Sequence, residues 1–155
     1  MSAKGSKILI SKWNPDEFNW KEQSSDLVYQ HYNRFDKWWD SERFNWKEAS
    51  EALCFRCSDY FLDWFDPERF NWEDASRSLF MFCREYFMFW FYPEKFNWKS
   101  SSSSLCVYFH GLFKIWWYPE RFNWENASGA LCHYCHRHFK EWFDPDKVLR
   151  RHLIC

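Results

Sequence analysis

The chain has almost no net charge, because its 21 Lys and Arg residues nearly balance 22 Asp and Glu residues to leave a formal charge of -1. A general nucleic-acid binder needs surplus cations to displace counterions from phosphate, so nucleic acid is not an expected partner. Long apolar runs are also missing. Residues 1–13 hold only Ile8-Leu9-Ile10, too short for a signal-peptide core, and no window approaches a membrane span. We therefore expect a soluble, cytoplasmic protein that does not bind membranes.

Glycine and proline are scarce, with 3 and 5 residues, whereas the chain carries 13 Trp, 8 Tyr and 18 Phe. So many aromatics with so little net charge exclude a disordered chain, and 155 residues suffice for one domain with its own core. The chain is also cysteine-rich, with seven Cys. We expect free thiols rather than disulfides, because the expected compartment is reducing, and the odd number of Cys also forbids complete internal pairing.

A search for internal similarity shows that the chain is a repeat protein. The tripeptide Phe-Asn-Trp begins at Phe18, Phe44, Phe70, Phe96 and Phe122, a constant step of 26 residues. The register defines units 12–37, 38–63, 64–89, 90–115 and 116–141, with a partial or capping unit 142–155 and an N-terminal arm 1–11. We predict one repeat domain over 12–155, because a fixed period without insertions gives each unit nearly the same surroundings.

The repeat pattern predicts helices. In the second unit the recurring residues step by 4, 3, 4, 4 and 3: Trp46, Ser50, Leu53, Cys57, Phe61 and Trp64. This spacing marks one face of an α-helix, and it predicts a helix of about 16 to 19 residues per unit. Asn45 stands at the N-cap position, and Glu48 completes a capping box. The segment 66–69 begins Asp-Pro, which predicts a short helical turn after the long helix.

The expected fold class is therefore all-α, with tandem 26-residue repeats of a long helix and a short helical turn that form an α-solenoid or compact helical array. In architecture the pattern resembles α-solenoids with one long and one short or 3₁₀ helix per unit, such as the leucine-rich variant type. Two arrangements remain open. Successive long helices run parallel, with a short return helix in a right-handed superhelix, or they alternate up and down.

Alignment of the five repeats places equivalent residues in columns, and some columns hold the same Phe, Trp or Leu in every repeat. These invariant columns are predicted to form the core, since large apolar side chains at fixed positions stack unit on unit. Ser24, Ser50, Ser76, Ser102 and Ser128 share this stripe, and each hydroxyl is expected to bond the carbonyl four residues back. A serine nucleophile would need a His or Lys base in a matching column, and none recurs. The sequence thus predicts a non-enzymatic protein without a cofactor.

Cysteine columns suggest a second function. The candidate thiolate ligands are Cys54, Cys57, Cys83, Cys106, Cys132 and Cys135. They could bind Cu(I) or Zn(II) if stacking brings Cys57 near Cys83 and Cys106 near Cys132 and Cys135. Packing as small apolar residues is the alternative. Residues 132–136 also match a c-type haem attachment motif, but the repeat itself accounts for that spacing.

Columns that vary between repeats point to a partner surface. One column reads Gln30, Arg56, Phe82, Tyr108, Tyr134, and another reads Lys37, Asp63, Phe89, Ile115, Glu141. Because they lie seven residues apart, we expect them on one edge of the helix. Phe82, Phe89, Tyr108 and Ile115, flanked by Met81 and Met88, are thus predicted to bind a protein partner or a second copy. The sequence favours a binding or scaffold protein; thiolate metal binding and RNA stacking are alternatives.

Overall fold

A computed structural model describes residues 7–147 of the chain. In this range the regular structure consists of helices and turns, without strands, which confirms the all-α class. The chain divides into two compact units, Met1–Trp90 and Phe91–Cys155. Across residues 7–147, none of the helices combines the length and the apolar composition that crossing a bilayer requires.

Each repeat contributes one main helix and one short helix. The main helices are α1 (Trp20–His31), α3 (Trp46–Arg56), α5 (Trp72–Phe82), α7 (Trp98–Phe109) and α9 (Trp124–Tyr134). The short helices are α2 (Phe35–Trp38), α4 (Phe61–Trp64), α6 (Phe87–Trp90), α8 (Phe113–Trp116) and α10 (Phe139–Trp142). Three-residue 3₁₀ turns lead into the short helices: Tyr32–Arg34, Ser58–Tyr60, Arg84–Tyr86, His110–Leu112 and His136–His138. A further 3₁₀ turn, Ile10–Lys12, precedes α1.

The predicted length of the long helix is wrong, because the main helices have only 11 or 12 residues. In the second repeat the α-helix ends at Arg56, and the next residue, Cys57, has a φ of -119° and a ψ of 26°. The indole Nε1–H of Trp64 donates to the carbonyl of Cys57 at 2.7 Å, and the same carbonyl accepts the Tyr60 backbone N–H at 3.0 Å. The same indole-to-carbonyl bond recurs in each repeat, from Trp38, Trp64, Trp90, Trp116 and Trp142.

The predicted N-caps are confirmed in all five repeats. In α3 the Oδ1 atom of Asn45 accepts the backbone N–H of Glu48 at 3.3 Å. The backbone N–H of Asn45 does not complete a capping box with that glutamate. It donates instead to the Ser24 hydroxyl of the preceding repeat at 3.1 Å. The cap residue therefore also joins neighbouring repeats.

Within each compact unit, the main helices of adjacent repeats run parallel. At the start of α5, the Asn71 side-chain amide donates to the Lys47 carbonyl in the first turn of α3 at 2.6 Å. At the end of α5, the Cys83 sulfur lies 3.9 Å from the Cys54 carbonyl near the end of α3. Like ends thus meet, so an up-and-down order is wrong for this pair. In the second unit, Asn123 at the start of α9 donates to Lys99 at the start of α7.

The segment that connects two main helices is long enough for this parallel order, because the main helices are short. A main helix of 11 residues is about 17 Å long, and the 3₁₀ turn and short helix carry the chain back. The predicted turn at 66–69 follows, where the backbone N–H groups of Arg69 and Phe70 donate to the Asp66 carbonyl. This segment is a hydrogen-bonded turn, and the second helix of the repeat lies earlier, at Phe61–Trp64.

The invariant columns form the core, as predicted. All five column leucines, Leu27, Leu53, Leu79, Leu105 and Leu131, are fully buried, and so are the tryptophans of the short helices. Each Ser hydroxyl of the stripe donates to the Trp carbonyl four residues back. Phe61 is buried partly by Tyr86 of the next repeat, whose ring stacks on it at 4.6 Å. Phe139, in the last described repeat, keeps 41% of its surface exposed.

Candidate functional site

The most exposed of the predicted partner residues lie in the short helix α6. Met88 is 67% exposed and Phe89 is 59% exposed, whereas their helix neighbours Phe87 and Trp90 are buried. A four-residue helix that packs through its first and last residues points the middle two toward solvent. The fold therefore uses Phe87 and Trp90 for packing and leaves Met88 and Phe89 available for contact with another molecule.

The other short helices show that these two middle positions accept charge. The residue pairs equivalent to Met88 and Phe89 are Asp36 and Lys37, Leu62 and Asp63, Lys114 and Ile115, and Lys140 and Glu141. All of these side chains are exposed. Only α6, among the five short helices of residues 7–147, has two apolar residues there. Packing of the repeat does not require this apolar pair.

Phe82 lies in a different environment from Phe89. It ends α5 and is half-buried, and its ring meets the exposed Phe55 of the preceding repeat at 4.8 Å. Phe55 in turn lies 6.1 Å from Tyr29. The guanidinium of Arg56 covers this row, 4.8 Å from the Phe55 ring and 5.6 Å from the Tyr29 ring. An aromatic row with a cation over it therefore runs along the ends of three main helices.

The helix break corrects the geometric argument that linked Phe82 to Phe89. Seven residues place two side chains on one edge only within a continuous helix, and α5 ends at Phe82 while Phe89 belongs to α6. Met81 is exposed near the end of α5. Sequence comparison between repeats missed the row Tyr29, Phe55 and Phe82, although Tyr29, Phe55 and Met81 occupy one column.

The remaining two predicted partner residues lie in the second compact unit. Tyr108 is exposed near the end of α7, and Ile115 is exposed in α8. Ile115 has the charged Lys114 beside it. Apolar exposure in this unit is thus less concentrated than in α6, where Met88 and Phe89 are adjacent.

Two pairs of buried thiols join adjacent repeats. Cys54 of α3 and Cys83 after α5 are side-chain hydrogen-bond partners, and so are Cys106 of α7 and Cys135 after α9. All four are free and buried. Burial, and then the hydrogen bond with Cys83, raises the pKa of the Cys54 thiol well above its usual value. For Cys106, the hydrogen bond with Cys135 is the largest cause of a raised pKa, followed by burial.

One pair agrees with the predicted metal arrangement, since Cys106 lies next to Cys135, and the other pair differs from it. Cys83 contacts Cys54 rather than Cys57, and burial together with Asp59 raises the pKa of Cys57 to about 12. Cys132 is buried and disulfide-bonded, contrary to the expectation of free thiols throughout. Over residues 7–147, no three His, Cys, Asp or Glu side chains converge to hold a metal ion. Metal binding through the cysteine columns stays a prediction.

The serine stripe has a structural role. The Ser50 hydroxyl donates to the Trp46 carbonyl at 2.6 Å and accepts the Asn71 backbone N–H at 3.1 Å. A hydroxyl that is buried and bonded in both directions is not positioned to attack a substrate. A separate open groove lies between the starts of α1 and α3. Its lining side chains include both signs of charge, and they are Trp20, Lys21, Glu22, Ser25, Arg43, Asn45, Lys47 and Glu48.

The described residues thus offer two features that the packing of the repeat does not require, the exposed apolar pair on α6 and the buried thiol pairs between repeats. The first can contribute apolar area to an interface, and the second can undergo thiol chemistry. Comparison of the chain with protein-family models, with curated proteins and with solved structures finds no match in any of the three.

Proposed function

We propose that this protein is a non-enzymatic scaffold that binds a protein partner through the apolar surface of its third repeat. The observation that carries the proposal is the exposure of Met88 and Phe89 side by side on α6. Flexible Met side chains and aromatic rings are typical of protein contact surfaces. Partner contact explains why this helix lacks the charged residues that its counterparts carry.

Comparison with α2 supports this proposal. Its middle residues are Asp36 and Lys37, which form an exposed ion pair at 3.1 Å. Since the helix folds between Phe35 and Trp38 just as α6 folds between Phe87 and Trp90, an exposed apolar pair gives α6 no packing advantage. Met81 and Phe82 are the last two residues of α5, which precedes the 3₁₀ turn before α6, and they add further apolar side chains of the same repeat.

Exchange of the α6 pair for the α2 pair tests the proposal. The double variant Met88→Asp, Phe89→Lys is expected to lose partner binding at least tenfold, because two apolar contact residues are removed and each tenfold loss corresponds to about 1.4 kcal/mol. Its melting temperature should stay within about 2 °C of the parent, since surface positions contribute little to stability. Quantitative affinity capture from the native host and sedimentation velocity measure heteromeric and self-association, respectively.

The variant Leu62→Asp, Asp63→Lys serves as the matched control, because it places the same residue pair at the equivalent exposed positions of α4. The control should retain the captured partner or the self-associated state. Equal binding by the parent and the α6 variant would contradict the proposed surface. A large loss of melting temperature in the α6 variant would show instead that Met88 and Phe89 stabilise the fold.

A further inference from the structure

The two thiol pairs occupy equivalent places in the repeat. Each pair joins a cysteine near the end of one main helix to the cysteine that follows the next main helix. In each pair the two cysteines are 29 residues apart in the chain. In the first pair the Cys83 sulfur lies 3.9 Å from the Cys54 carbonyl, and in both pairs the two side chains are hydrogen-bond partners. Each pair lies within one compact unit, Cys54 and Cys83 in the first and Cys106 and Cys135 in the second.

Packing alone does not require two cysteines at this place. Between the first and second repeats the equivalent positions hold Val28 and Cys57, and both are fully buried. The fold therefore accepts an aliphatic side chain where the next junction has a thiol. The paired cysteines bring two groups together that can form a covalent bond, whereas valine and cysteine cannot.

We propose that Cys54 with Cys83, and Cys106 with Cys135, are redox-active pairs that close into disulfide bonds between neighbouring repeats in the presence of a disulfide oxidant such as oxidised glutathione. This inference is independent of the proposed partner surface. It assigns the pairs a reversible covalent modification that locks one repeat to the next.

The reaction balances with one oxidised glutathione for each pair. One cysteine thiolate attacks a glutathione sulfur, breaks the S–S bond and releases one glutathione thiolate, which leaves a mixed disulfide on the protein. The second cysteine thiolate attacks the protein sulfur of that mixed disulfide, forms the bond between repeats and releases the second glutathione. Two protein sulfurs are oxidised, two glutathione sulfurs are reduced, and the two thiol protons pass through solvent to the released thiolates.

Burial controls when this reaction can occur. All four thiols are buried, so oxidised glutathione reaches them only when the junction between two repeats opens. The raised pKa of Cys54 and of Cys106 further lowers the thiolate fraction in the closed state. Oxidation therefore reports on opening of the junction, and the disulfide afterwards holds that junction closed.

The test incubates the reduced full-length protein with oxidised glutathione a few degrees below its melting temperature, and maps disulfides by mass spectrometry of unreduced peptides. We expect bridges between Cys54 and Cys83 and between Cys106 and Cys135. Oxidation should raise the melting temperature of the parent by about 5 °C or more beyond the rise in a Cys54→Val, Cys106→Val variant, in which the Cys132 disulfide can still re-form, because each bridge constrains the unfolded chain. Dithiothreitol should reverse both changes.

Two variants separate this proposal from simple packing. Cys54→Val places at this buried position the residue that Val28 provides in the first repeat, and it should abolish only the bridge at its own junction. Cys57→Ala removes a buried thiol outside the pairs, and it should leave both bridges intact. Bridges to Cys57, glutathione adducts without internal bridges, or no oxidation while the urea-unfolded chain oxidises would each overturn the proposal.

Discussion

Replacing Trp64 with alanine is expected to lower the free energy of unfolding by about 3 to 5 kcal/mol, as measured by urea titration. The ring is buried in the short helix α4, and its loss leaves a large cavity between repeats. The substitution also removes the indole donor from the Cys57 carbonyl, which is bonded at 2.7 Å in the intact protein. The Cys57 carbonyl keeps its hydrogen bond from the Tyr60 backbone N–H, so loss of the indole bond adds about 1 kcal/mol.

Two controls divide this effect into its parts. Trp64→Phe keeps an aromatic ring but removes the Nε1–H donor, so it should cost about 1 to 3 kcal/mol. Leu62→Ala changes a residue of the same helix that is 64% exposed, and should cost less than about 0.5 kcal/mol. Equal losses for Trp64→Ala and Leu62→Ala would show that Trp64 does not close the core.

Replacing Asn71 with alanine is expected to cost about 2 kcal/mol in the same titration, because its side chain acts on two helices. The Oδ1 atom caps α5 by accepting the Asp74 backbone N–H at 3.2 Å, and Nδ2 donates to the Lys47 carbonyl of α3 at 2.6 Å. A helix cap contributes roughly 1 kcal/mol, and the hydrogen bond between repeats contributes a similar amount.

Asn19 provides the matched control for this substitution. Its side chain caps α1 and bonds Glu22 within its own repeat, without the bond to a preceding main helix that Asn71 makes. Asn19→Ala should therefore cost only about 1 kcal/mol, the value of the cap. If Asn19→Ala and Asn71→Ala cost the same, the hydrogen bond from Asn71 to Lys47 does not stabilise the contact between repeats.

The fixed columns made much of the fold predictable. Asn45 is a cap and Leu53 is core in any helix with this pattern, because both roles depend on local spacing. The end of the main helix at Arg56 was not predictable in this way. The apolar spacing continues through Phe61 and Trp64, since the 3₁₀ turn and α4 keep these side chains facing the same core.

The candidate site was less predictable than the fold, because it depends on contacts between repeats. Met88 and Phe89 stood out as apolar residues in variable columns, and their exposure is confirmed. The partner of Cys83 could not be read from the sequence, since it is set by how far α5 is shifted along α3. Cys54 and Cys57 are three residues apart, and Cys83 forms its hydrogen bond with the first.

The parallel packing of main helices from adjacent repeats is tested most directly by nuclear Overhauser effects in solution. The side-chain amide protons of Asn71 should give cross-peaks to the first turn of α3, at Lys47, and the Phe61 ring should give cross-peaks to Tyr86. Cross-peaks from Asn71 to the end of α3, near Cys54 and Phe55, would instead place the two helices antiparallel and contradict the stacking described for the first unit.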